Sequence, residues 1–64
     1  MDRKVIEQAL RHENLNAVKI EKVRKSYQVT FWTKPSRSEL VRLSLMLRCK
    51  VTIQECKILF EDFL

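Results

Sequence analysis

Lys50-Val51-Thr52-Ile53-Gln54-Glu55-Cys56-Lys57-Ile58-Leu59-Phe60-Glu61-Asp62-Phe63-Leu64 closes the chain, and its reading decides the fold. Two periods coexist in it. Cys56, Leu59, Phe60 and Phe63 stand at i, i+3, i+4 and i+7, the stripe of an amphipathic helix. Thr52-Ile53-Gln54-Glu55 just before them matches a capping box. Against this, Val51 and Ile53 alternate with polar neighbours, as do Ile58 and Phe60, which reads as two strands of a hairpin. The helix, about 53 to 63, is preferred because four apolar positions and a cap agree on it. The hairpin remains the alternative.

Upstream, Pro35 and Ser36-Arg37-Ser38-Glu39 form the most specific local signal: a chain breaker, then a capping box, then an apolar run. They predict a helix over about 37 to 48. Leu40, Val41, Leu43, Leu45, Met46 and Leu47 cover most of its circumference and leave Arg37, Ser44 and Arg48 as a narrow polar strip, with Arg42 apart. A helix apolar nearly all round seeks burial on more than one side. A symmetric homodimer is therefore expected.

Further back the period changes to two. Tyr27, Val29 and Phe31 alternate with Gln28, Thr30 and Trp32, and Val18 and Ile20 alternate with Lys19 and Glu21. The two runs predict a hairpin around Arg24-Lys25-Ser26. A loop at Lys25-Ser26 would set Ile20 opposite Phe31 and Lys19 opposite Trp32. Val18, Ile20, Val29 and Phe31 would then share one face, and Lys19, Glu21, Gln28, Thr30 and Trp32 the other. Residues 2 to 13 predict a first helix, with Asp2 as cap and Val5, Ile6, Ala9 and Leu10 on one face. The expectation is one α+β domain spanning 1–64, in the order helix, strand, strand, helix, helix. The hairpin reading of the tail would turn the chain into a loose duplicate, helix-hairpin followed by helix-hairpin.

The chain has 64 residues, 45% of them apolar, with no glycine and one proline. So short a chain buries only about 60% of its unfolded surface. It is nevertheless too apolar to stay disordered. No apolar leader opens the sequence, and no apolar run approaches the ~20 residues a membrane span needs. Cys49 and Cys56 then read as reduced, packed thiols of a cytoplasmic protein.

Enzymatic chemistry finds little material. His12 is the single histidine and falls on the polar side of the first helix. With the two cysteines it gives three soft ligands and no paired spacing, whereas structural zinc needs four. Without glycine there is neither a phosphate-cradling loop nor a dinucleotide fingerprint. No cofactor, no metal and no catalytic residue is expected.

Charge is the informative property. Thirteen Lys and Arg face eight Asp and Glu, a net +5. Residues 17 to 50 carry nine positive charges against Glu21 and Glu39, while residues 1 to 16 balance and 51 to 64 are acidic. An excess concentrated in this way favours an anionic partner, nucleic acid or an acidic protein surface. The candidate nucleic-acid contacts are Lys19, Lys22, Arg24 and Lys25 on the hairpin, Trp32 and Lys34 after it, and Arg37, Arg42 and Arg48 on the second helix. An aromatic among cations can stack on an unpaired base while the cations meet phosphate. The competing role for Trp32, favoured for a lone Trp in so short a chain, is packing beneath the C-terminal helix. A helix-turn-helix over 37 to 63 is disfavoured, because its second helix would carry Glu55, Glu61 and Asp62 against Lys57 alone. A non-enzymatic regulatory protein that binds nucleic acid is thus the leading expectation. The alternative is a protein-interaction module, a small inhibitor or adaptor, using apolar helix surface.

Overall fold

The computed structural model describes residues 1–62. Its elements run α1 (Arg3–His12), β1 (Ala17–Val23), β2 (Ser26–Phe31), α2 (Arg37–Leu47), β3 (Cys49–Gln54) and β4 (Lys57–Asp62). The four strands form one antiparallel sheet in the order β1-β2-β4-β3, with both helices on one face. The α+β class and the first hairpin hold. The predicted third helix does not: residues 49–62 are a second hairpin, and the order is helix, strand, strand, helix, strand, strand. Phe63, the last position of the predicted stripe, lies outside the described residues.

The physical reason lies in β2. It pairs with β1 along one edge only, and a lone two-stranded hairpin is at best marginally stable in water. β4 fills the other edge, with Tyr27 opposite Phe60 and Val29 opposite Ile58. All four of these side chains are buried. They form one core with Phe31, Cys49, Ile6, Ala9 and Leu10 of α1, and Leu40, Leu43 and Leu47 of α2. Thr52 to Glu55, which mimic a capping box, are the end of β3 and the first residue of its turn.

The chain is an internal duplicate. Asp2 and Ser36 are the N-caps of the two helices; the amides of Val5 and Glu39 donate to their side chains at 3.1 and 3.2 Å. Just past the two helices, Asn14 and Arg48 turn the chain with left-handed φ of 57° and 51°. Each of these pairs is separated by 34 positions. In the hairpins the separation is 31, because the link from α1 to β1 is three residues longer than that from α2 to β3. Arg24 and Glu55 hold φ of 59° and 55° at the first position of equivalent two-residue turns. Gln28 and Leu59 are equivalent and also face each other, so the pseudo-twofold axis passes through that pair.

The first turn is Arg24-Lys25, not Lys25-Ser26. Ile20 therefore faces Val29, and Lys19 faces Thr30 rather than Trp32. This two-residue shift leaves the facing pattern of most side chains unchanged, since side chains alternate with period two. Val18 is the exception, because a bulge between Ala17 and Lys19 turns it outward, where it is exposed.

Candidate nucleic-acid interface

The nine residues predicted to contact nucleic acid are all exposed. They do not form one cluster. Arg24 and Lys25 make the β1–β2 turn, and Lys22 stands one pair inside it, opposite Tyr27. At the same end of the sheet, Arg48 caps the end of α2 and Lys50 is the second residue of β3, opposite Glu61. Trp32 follows β2 at the other end, where the Phe31 amide donates to the Cys56 carbonyl at 2.9 Å. Lys34 and Arg37 lead from there into α2. Six residues of β2 separate the two groups, about 20 Å at the rise of an extended strand. The structure thus parts Trp32 from the hairpin tip.

Trp32 is 79% exposed and does not pack beneath a C-terminal helix, because residues 49–62 form strands instead. Among the described residues, no helix covers the face of the sheet away from α1 and α2. That face carries Lys19, Glu21, Gln28, Thr30, Lys57, Leu59, Glu61, Lys50, Thr52 and Gln54, as the strand registers dictate. Lys50 and Lys57, outside the sequence-derived set, add positive charge to it. The alternation of β3 and β4 could have identified them had the tail been read as strands.

Two of the predicted cations are already engaged. The Arg42 Nε–H donates to Glu13 Oε1 at 2.7 Å, joining α2 to the end of α1. Lys19 lies 3.5 Å from Glu21. Lys22, Arg24, Lys25, Lys34, Arg37 and Arg48 form no ion pair with any carboxylate among the described residues. Lys4, Arg11, Lys50 and Lys57, outside the predicted set, are likewise exposed and unpaired among the described residues.

Two titrating groups are clearly shifted. The backbone and hydroxyl of Ser36 hold the Glu39 carboxyl below its ordinary range, with Arg42 contributing. Both capping-box bonds are present: the Ser36 amide donates to Glu39 Oε1 at 2.8 Å, and the Glu39 amide donates to Ser36 Oγ. Burial pushes the Cys49 thiol up to about 11, with Asp62 adding to the shift. Cys56 is not on a helical stripe; it occupies the β3–β4 turn, half-buried. Cys49 begins β3 and Cys56 follows its end, so the strand's length keeps them beyond the ~7 Å limit for a disulfide. Among the described residues, no three or more of His, Cys, Asp and Glu gather as metal ligands, and no helix is long and apolar enough to cross a membrane. Comparison with known proteins finds no matching family, no matching curated protein and no matching solved structure.

Proposed function

We propose that this is a small, non-enzymatic regulatory protein of the cytoplasm that binds nucleic acid through backbone phosphate. The hairpin tip, Lys22, Arg24 and Lys25, makes the main contact, and Arg48 extends it along the same end of the sheet. Trp32, Lys34 and Arg37 form a second contact one strand-length away. The observation that carries this reading is the placement of six of the ten exposed cations that form no ion pair among the described residues: Lys22, Arg24, Lys25 and Arg48 at one end of the sheet, Lys34 and Arg37 beyond the other. Phosphate contacts of this kind position a protein on nucleic acid without reading its sequence. The 20 Å between the groups corresponds to about six base steps. The free thiols Cys49 and Cys56 suit a reducing compartment.

Fluorescence anisotropy of labelled single- and double-stranded oligonucleotides, at low and at near-physiological salt, tests the proposal. Saturable binding that weakens steeply with salt is expected, because each phosphate contact releases condensed counterions. Quenching of Trp32 in the same titration would report engagement of the second group, since Trp32 is the protein's one tryptophan. Absence of binding at low salt would overturn the proposal and leave an acidic protein surface as the partner for these cations.

A further inference from the structure

The two halves of the duplicate differ in how they treat their outer edges. On the β1 side, Glu7 and Arg11 flank α1 and Lys22 stands on the strand. The equivalent positions on the β3 side are Val41, Leu45 and Ile53, at the offsets of 34 and 31 established above. Three charged positions have thus become apolar, and all three of these apolar residues are exposed: 50% for Val41, 72% for Leu45 and 45% for Ile53. Val41 and Ile53 border a shallow groove between α2 and β3 that also touches Val51, Ser44 and Arg37, and Leu45 stands one turn beyond Val41 on α2.

The strands differ in the same sense. β1 is interrupted by a bulge and carries Lys19 and Lys22, devices that keep an edge from pairing. β3 runs in unbroken register with β4 and holds a single charge, Lys50. A two-residue loop closes on Gln54 and Lys57, so Gln54, Thr52 and Lys50 form the hydrogen-bonded pairs with β4. Cys49, Val51 and Ile53 therefore aim their backbone N–H and C=O groups outward from the open edge.

From this we infer that the β3 edge and the outer flank of α2 bind a second copy of this chain, joining two four-stranded sheets into one of eight strands about a twofold axis at Val51. The inference is independent of nucleic-acid binding. In that register Val51 meets its own counterpart and Cys49 meets Ile53 of the other copy, giving about six new backbone hydrogen bonds. Lys50 faces Thr52 of the other copy, so no like charges oppose each other. The alternative centred on Thr52 aligns fewer outward-facing groups, and one centred on Lys50 would oppose two lysines.

The helix layer fits the same operation. Strands lie about 4.8 Å apart and packed helices 8–10 Å, so one helix covers two strands. The chain meets this ratio internally, with two helices over four strands. Continuing the sheet through β3 therefore brings α2 beside its counterpart at ordinary packing distance, covering Val41 and Leu45. A molecule 27 × 20 × 20 Å in extent offers roughly 500 Å² on such a side. Two copies then bury about 1,000 Å², near the lower bound of a specific interface.

Sedimentation equilibrium of the full chain at tens of micromolar, with amide exchange by NMR, tests the inference. Wild type should have the mass of two chains, and the Val51 and Ile53 amides should be protected. Leu45→Lys and Ile53→Lys, both at exposed positions, should each give one chain with unchanged circular dichroism and freely exchanging Val51. Arg11→Glu, at the counterpart of Leu45, should leave the dimer intact. A wild-type mass of one chain overturns the inference. So does a dimer that survives both lysine variants, or one whose Val51 and Ile53 amides exchange freely.

Discussion

Replacing Glu55 by glycine should stabilise this protein. Glu55 sits first in the β3–β4 turn with φ of 55°, and the chain has no glycine to take such a position. Positive φ at the first loop residue alone is the pattern of a type II′ turn, whose usual occupant there is glycine. Left-handed backbone costs an ordinary residue about 1–2 kcal/mol. Glycine removes that cost but enlarges the entropy of the unfolded chain by about 0.5–1 kcal/mol. The net gain is about 0.5–1 kcal/mol, which matters in a domain whose total stability is about 3–10 kcal/mol at the usual value per residue. For a domain of this size, the melting temperature should rise by roughly 2–8 °C. Thermal unfolding followed by circular dichroism measures this. Cys56→Gly is the control, since Cys56 has no positive φ. It should destabilise, through added chain entropy and the loss of a half-buried side chain. A Glu55→Gly protein that melts below wild type, as the control should, would refute the reasoning.

Phe60 is fully buried at the centre of the sheet, so Phe60→Ala should cost about 3–5 kcal/mol and abolish a cooperative melting transition. Trp32→Ala, at a mostly exposed side chain, should change stability by less than about 0.5 kcal/mol in the same assay. The Glu39 carboxyl is held below its ordinary 4.5 by Ser36, so its charged form favours the folded state. That contribution is complete above pH 4.5 and is lost as pH falls through the lower folded value. Melting temperatures should therefore drop less on acidification in Glu39→Gln than in wild type. With its pKa raised to about 11 and its side chain buried, Cys49 should resist a thiol reagent at pH 8. The native protein should show one reactive thiol, Cys56, and the unfolded protein two.

What the sequence revealed follows from how local each determinant is. The capping box Ser36–Glu39 and the cap Asp2 fixed both helix starts, because their hydrogen bonds close within three residues. Alternation placed Tyr27, Val29 and Phe31 on a buried face even though the loop was set one residue late, since a two-residue shift preserves facing. The tail misled because its spacing satisfies both periods. Only the open edge of β2, distant in sequence, decides between them. Once β3 and β4 are strands, no helix among the described residues covers Trp32 or the second face of the sheet. The candidate interface was legible as charge and not as geometry. Composition identified the excess cations, but only the fold separates the tip from Trp32 and ties Arg42 to Glu13.

The most direct test of phosphate binding at the hairpin tip is the salt dependence of oligonucleotide affinity, for wild type and for Arg24→Ala/Lys25→Ala. Each lost phosphate contact should lower the slope of log affinity against log salt by about one. The double variant should therefore bind more weakly on every sequence, with a slope shallower by about two and with unchanged circular dichroism. Superimposable affinities and slopes for the two proteins at every salt concentration would contradict binding through the tip.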